Sequence, residues 1–341
     1  ANYSTPTFSE IGLTPDNFVL LEQNKDGSFD IQPVFADNQI IYVDKSGTNV
    51  KNMVWDVGQS AYVLNNISVK SAHLIKSPVD TAVFANPTSI NGALVLFVNS
   101  DGTLTTLQTL SQEGIGAYSG AFTGQFFLDT GVFFQSRILH VVSSGSRLWM
   151  WIARLAADNV TPLVTIEEMR FDVFADSCRI SDGIAPTNSF TNLAFANKLV
   201  QITSSFNGIN TQFTAIGNNL GTVTFPVQDT AARVVGGLPF TSELQPLPIA
   251  SIPGTSASLY SPTHIRSLYI NYFETVGATV QGSSIETRSL PLTLDAANQP
   301  ATGIALYTLM EGWDQSVYDI SITQTNSYPM TVRALAYIVD I

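Results

Sequence analysis

Cysteine is almost absent: Cys178 is the only one in 341 residues, which excludes an internal disulfide framework and a metal cluster held by several thiolates of one chain. Charge is scarce as well, with Asp, Glu, Lys and Arg making up 12% of the chain, about half the ~25% usual for soluble globular proteins. Basic residues number 15 against 27 acidic ones, for a formal charge of −12. The acidity is even, with 9 basic and 15 acidic residues in 1–170 and 6 and 12 in 171–341. Without a Lys/Arg cluster the chain has no footprint for gripping a phosphate backbone, so it is not expected to bind nucleic acid tightly, although nucleic acid can still pass along it. No apolar run approaches the ~18 residues of a membrane helix. Ala1–Glu10 also lacks the basic-then-apolar order of a signal peptide. The expectation is a soluble chain with no stable membrane insertion, unsecreted by that route.

Apolar residues, by contrast, make up 45% and aromatics 10%, enough to offset the ordering entropy of a folded core. Short β-prone runs bounded by Gly, Asn, Asp, Ser or Pro recur throughout. In the first half they are Gln39–Val43, Asn49–Val54, Ala82–Ala85, Ala93–Asn99, Thr103–Leu110, Arg137–Val142, Arg147–Arg154 and Leu163–Met169. Lys45-Ser46-Gly47-Thr48, Ser100-Asp101-Gly102-Thr103 and Ser143-Ser144-Gly145-Ser146 each place a glycine between two runs, which predicts three antiparallel hairpins. Strands apolar on both faces, such as Leu148-Trp149-Met150-Trp151-Ile152, suit propeller blades or stacked sheets. Trp55-Asp56 and Trp313-Asp314 stand too far apart to be successive WD40 blades.

Asn65–Ile75 interrupts the strands and predicts a short helix capped by Asn65 or Asn66, with His73 a buried, hydrogen-bonded residue of it. Asp176–Asn192 and Gln245–Pro262 are rich in Ser, Thr, Asn and Pro and read as linkers or surface excursions. Beyond them His264–Phe273, Glu286–Leu290, Gly303–Leu309, Val317–Thr323 and Met330–Val339 form a second β unit, with Tyr318, Ile320 and Ile322 alternating with polar neighbours. The expected fold class is all-β, propeller-like antiparallel sheets followed by a C-terminal β-sandwich-like domain, with few short helices. Its expected divisions are 1–175 (propeller-like), 176–262 (a β-rich connecting region with Ser/Pro-rich linkers) and 263–341 (sandwich-like).

Candidate chemistry is thin. The histidines that could activate a nucleophile are His73, His140 and His264, but no G-x-S-x-G elbow positions a serine, so structural roles are expected. Glu167 and Glu168 are neighbours on a strand and point to opposite faces, so they cannot flank one glycosidic bond; one is expected to be exposed and the other paired. Glu22-x-Asn24-x-Asp26-Gly27-Ser28-Phe29-Asp30 resembles the start of a calcium loop, but Pro33 stands where the bidentate Glu belongs, and an Asp-Gly turn is the better account. Gly114-Ile115-Gly116-Ala117-Tyr118-Ser119-Gly120 misses the dinucleotide fingerprint by one residue and reads as a flexible loop. No catalytic, cofactor-binding or metal-binding residue is therefore expected. Trp55, Trp149 and Trp151 are read as core or interface anchors.

Two blocks of sequence taken together resemble a known family. The first runs from Ile40-Ile41-Tyr42-Val43-Asp44 through Gly47, Val50, Met53, Asp56, Tyr62, Asn65 and Ile67 to Ser71-Ala72-His73-Leu74-Ile75. It continues with Asp101-Gly102-Thr103-Leu104 and Leu107, then Arg147-Leu148-Trp149-Met150-Trp151-Ile152-Ala153-Arg154 and Ile166-Glu167. The second runs from Val223-Thr224-Phe225-Pro226 through Val234 and Gly236-Gly237-Leu238-Pro239-Phe240 to Thr241-Ser242-Glu243, with Gly303, Gly312-Trp313-Asp314 and Tyr328-Pro329-Met330-Thr331 closing the chain. In this order they resemble the tail nozzle proteins of short-tailed (podovirus-type) bacteriophages, the tail tubular protein B type. The resemblance implies a subunit of a hexameric ring in the virion tail, part propeller-like and part sandwich-like, through which DNA leaves the capsid. It implies a tail adaptor ring and tail fibres as partners, and it brings no catalytic residues. Members of the family carry a large region before the first block, whereas here the chain starts almost at it, so a processed product or a compact variant is expected. Asn65 or Asn66 also stands where the family has Asp.

Two other readings stay open. One is a receptor- or glycan-binding β-domain of a phage tail or capsid, with Gly114–Gly124 and Phe206–Gly221 as its loops. The other is a carbohydrate-active enzyme, for which the sequence supplies no paired carboxylate site.

Overall fold

The computed structural model describes residues 27–58, 61–84, 92–110, 115–121, 125–127, 133–156, 158, 161–181, 188–206, 209–225, 233–246, 264–285, 300–308 and 320–340. The protein is all-β, built from several small antiparallel sheets. Among the described residues there is no α-helix, and none long and apolar enough to cross a membrane. The chain divides into two compact units, Ala1–Thr123 with Phe134–Arg154 and Leu163–Arg170, and Gly124–Phe133 with Leu155–Pro162 and Phe171–Ile341.

The first unit holds three sheets. β1 (Val34–Ala36), β2 (Gln39–Val43), β3 (Val50–Asp56) and β4 (Ala61–Asn66) form a meander, as do β5 (Asp80–Phe84), β6 (Ala93–Val98), β7 (Leu104–Leu110) and β8 (Ile115–Ala121). The next two strands along the chain are β9 (Gln125–Phe127), which belongs to the second unit, and β10 (Phe133–Gln135). The third sheet is β11 (Arg137–Ser144), β12 (Arg147–Leu155) and β13 (Pro162–Met169). All three predicted hairpins form, as β2–β3, β6–β7 and β11–β12. Gly102 shows why glycine is required: its φ is +82°, and a Cβ there would sit 2.7 Å from Cβ of Arg137.

The middle sheet is covered on both faces, because successive β6 side chains point opposite ways and all but one are buried. Ala93, Val95 and Phe97 pack with Ile41, Val43 and Val50 of the first sheet. Leu96 and Val98 pack with Ile138, Val141, Leu148 and Ile152 of the third. The outer sheets therefore each keep one face uncovered by this stack.

In the second unit, β14 (Asp176–Ser181), β19 (Arg233–Leu238), β16 (Leu199–Phe206) and β17 (Ile209–Ile216) form one sheet. The ribbon of β15 (Ser189–Thr191) and β18 (Thr222–Thr224) packs Phe190 and Val223 against its Val200, Ile202, Val234 and Leu238. Farther along, β20 (Ser242–Leu244), β25 (Ile322–Gln324), β22 (Thr279–Val280) and β23 (Ser283–Ser284) form a second sheet. It packs on β24 (Ala301–Thr308), β21 (His264–Thr275) and β26 (Val332–Asp340) around Leu268, Ile270, Val280, Ile320 and Ile322. The alternation of Ile320 and Ile322 with half-exposed Ser321 and Thr323 follows the expected period of two.

Several local expectations are corrected. The helix over Asn65–Ile75 is a single 3₁₀ turn, Ala72–Leu74. Asn65 and Asn66 close β4, and Asn66 Oδ1 accepts the Ser68 N–H at 3.0 Å, so its capping capacity is spent on a turn before any helix begins. Gly114–Gly120 is not a loop, because residues from Ile115 onward form β8, fully registered on β7. Phe206–Gly221 is likewise largely strand, β17 paired along its length with β16. Asp176–Asn192 supplies β14 and β15, and Phe190 is buried. The calcium-loop residues Glu22–Asp26, residues 247–262 of the second linker, Glu286–Leu290 and Gly312-Trp313-Asp314 lie outside the described residues.

Candidate functional site

The histidines serve different local environments. His73 is exposed on the 3₁₀ turn, not buried as expected, because one turn gives it no helix face to pack. His140 stands at a β-bulge on β11, its Nδ1 3.3 Å from Asp80 Oδ2. That same oxygen accepts the Val141 N–H at 3.0 Å, so the Asp80 carboxylate holds the bulge in place. His264 opens β21, paired with Asp340. Among the described residues no three of His, Cys, Asp and Glu gather as a metal site. From Gly27 the calcium-like segment runs along the β2–β3 turn: Gly27 O accepts the Lys45 N–H and Phe29 N–H donates to Val43 O, both at 2.9 Å.

Glu167 and Glu168 do point to opposite faces, but both are paired. Glu168 lies 3.6 Å from Arg147 Nε at the surface. Glu167 meets Arg154, which is 0% exposed and is the bulkiest of the fully buried side chains among the described residues. Arg154 Nε donates to Oε1 at 3.0 Å and its second terminal nitrogen to Oε2 at 2.9 Å, a bidentate pair. Thr165 Oγ1 donates to the same Oε1 at 2.6 Å. Sequence reasoning missed this buried cation. The signal was there in parity: Arg154 is in phase with Leu148 and Ile152, the inward positions of β12, and Glu167 with Thr165 and Met169 of β13.

The features most unlike an ordinary monomer surface are the uncovered sheet faces. On the first sheet, register lines up Phe35, Ile40, Met53 and Leu64 in one row across all four strands. The next row is Trp55 and Tyr62, packed edge to face with centroids 5.0 Å apart. Phe35 is 68% and Trp55 41% exposed, so Trp55 is a surface residue and not a core anchor. On the third sheet Trp149 and Trp151 are half-buried, opposite Val142 and His140, with Ile166 of β13 60% exposed. In the second unit Tyr269 lies between Leu306 and Ala336, and Asn271 between Ile304 and Ala334; Ile304 is 69% exposed. Large exposed apolar faces of this kind mark interaction surfaces, and aromatic residues are the common energetic anchors in them.

No protein-family profile matches the chain, and no curated protein matches it significantly.

Proposed function

We propose that the chain is a structural virion protein, a subunit of a ring-shaped, hexameric nozzle in the tail of a short-tailed bacteriophage. The nozzle extends the tail channel and lets DNA exit. In this reading the stacked sheets of the first unit are propeller-like and the C-terminal pair of sheets is sandwich-like. The motif order of the two resembling blocks supports the reading, and the carrying observation is the outer face of β1–β4, whose aromatic and aliphatic rows lie on the side away from the core shared with the middle sheet, with Phe35 and Trp55 exposed among the described residues. A surface with few charges lets copies associate without desolvating many ions. Head-to-tail contacts between unlike faces close naturally into a ring. The even acidity is suited to a wall that DNA passes without adhering.

Light scattering and negative-stain imaging of the purified chain, alone and mixed with the adaptor complex of its virion, test this. The expected result is six-fold rings, or assembly only on the adaptor. Phe35→Ser and Trp55→Ser should abolish that assembly while leaving the melting temperature of the chain within a few degrees. A chain that stays monomeric in both conditions removes the proposal.

A further inference from the structure

Within the second unit the strands fall into two groups, β14–β19 and β20–β26, each contiguous in sequence, and the chain crosses between them once, through Pro239-Phe240-Thr241. Each group has its own apolar core, around Val200, Ile202 and Leu238 before the link and around Leu268, Ile270 and Ile322 after it. Among the described residues the two cores share no member. Two bodies joined by a few link residues turn about them unless a second contact closes the joint.

That second contact is the loop 325–329, which joins β25 to β26. On its own side the backbone holds it, with the Val276 N–H donating to Pro329 O at 3.1 Å. Across the joint it is held by side chains. Ile202 points into the core of its sheet, so period two sends Gln201 to the opposite face. There Gln201 Oε1 accepts from the Ser327 N–H at 3.1 Å and hydroxyl at 2.8 Å, and its Nε2 donates to Thr325 O at 3.3 Å. Gln212 Nε2 of β17 adds a bond to Asn326 Oδ1 at 3.4 Å. Gln201 and Ser327 are both buried. Apolar packing adds less: Tyr328 is buried but belongs to neither core, and a space of about 170 Å³ is walled by Tyr328 and Pro329 of the loop and by Val235 and Phe174.

We propose that loop 325–329 is a latched strap, which releases from β16 as one piece while both cores stay folded, with Gln201 as the latch. Release exchanges a handful of polar bonds for bonds to water, so it costs far less than unfolding either core. With the strap off, residues 239–241 alone join the two groups of sheets, which then turn about that link. The strap thus sets how rigidly the C-terminal sheets are carried, and it does so whether or not the chain forms rings.

The test is residue-resolved amide hydrogen exchange of the full chain. The Ser327 amide should exchange faster than the amides of β16 and β21. Gln201→Leu keeps the side-chain volume and removes all three of its bonds to the strap, so it should speed Ser327 exchange at least about tenfold, the worth of one net hydrogen bond, and leave β16 and β21 unchanged. Ser327→Ala removes only the hydroxyl bond and should fall between the two. Spin labels at Ile216→Cys and Ile304→Cys, both exposed and one on each side of the joint, in a Cys178→Ser background should give a narrow distance distribution that Gln201→Leu broadens. Unchanged Ser327 exchange in Gln201→Leu overturns the proposal. So does faster exchange that extends equally through β16, which would make the strap part of the core, or a distance distribution that stays narrow.

Discussion

Replacing Glu167 with Gln should destabilise the first unit by about 3–5 kcal/mol, the range for breaking a buried ion pair from one side. Arg154 is fully buried and pairs in bidentate fashion with both oxygens of Glu167. Glutamine removes the countercharge and turns an N–H₂ toward one of the two guanidinium donors, so at least one of these charge-assisted bonds, each about 1.5–3 kcal/mol, is lost. Arg154→Met in the wild-type background strands the carboxylate instead, and some hydration of Glu167, whose side chain is 17% exposed, should make this loss the smaller one. The Arg154→Met/Glu167→Gln double substitution leaves no buried charge without its partner and should cost far less than the sum of the two single changes. The assay is urea unfolding of the four chains, with hydrogen exchange of the β12 amides reporting on this unit separately, because two compact units need not unfold as one. A loss below about 1 kcal/mol for Glu167→Gln, or single losses that add in the double variant within about 0.5 kcal/mol, would refute the argument that the pair is coupled and desolvated.

Three further outcomes follow from local physics. The Tyr118 hydroxyl is buried without a hydrogen-bond partner and burial pushes its pKa far up, so Tyr118→Phe should raise stability by about 1 kcal/mol in thermal melts. Gly102→Ala should lower it by at least about 1–2 kcal/mol from left-handed backbone strain alone, because φ is +82° and the new Cβ would press on Cα and Cβ of Arg137, 3.0 and 2.7 Å away; an unchanged melting temperature would contradict that turn geometry. Burial raises the pKa of Asp101, but hydrogen bonds from Lys76 Nζ at 2.8 Å and from the Thr103 hydroxyl and N–H outweigh it and hold the carboxyl below its usual value. With the folded pKa below the unfolded one, this contribution is present above about pH 4 and is lost as pH falls through the folded value, so the gap in urea midpoint between wild type and Asp101→Asn should be wider at pH 7 than at pH 3.

The hairpins were legible because each places a glycine at a turn between strands whose period of two is uninterrupted. The two-sided covering of a strand was legible in kind but assigned to the wrong one. Leu148–Ile152 carries tryptophans on its outer side, whereas Ala93–Val98 is the strand packed on both faces, its apolar run unbroken by any aromatic larger than Phe97. The failures share a cause. Asn65–Ile75 is read from a possible Asn cap and sparse apolar spacing, Gly114–Gly120 from its glycines and Asp176–Asn192 from composition, and Asn, Gly and Ser report turns and edge strands alike until a pairing partner is known. At Ser189–Thr191 the partner is Thr222–Thr224, which no local pattern links to it.

Low charge and uncovered faces are two aspects of one constraint. A chain with 12% charged residues cannot cover every outer sheet with Lys and Glu, so after each sheet buries one face, Ser, Thr, Asn and apolar side chains must make up the other. On β2 and β3 the result is visible residue by residue. Gln39, Ile41 and Val43 point inward, where Asn52 Nδ2 donates to Gln39 Oε1 at 2.6 Å, and Ile40 and Met53 point outward. The covered side thus holds Ile41, Val43 and Val50 with one polar pair, while the open side carries a hydrophobic row that solvent alone does not select. That row is the strongest physical reason to look for a partner on this sheet, and it predicts that the contact will center on Phe35, Ile40, Met53 and Leu64 with Trp55 and Tyr62 as its anchors.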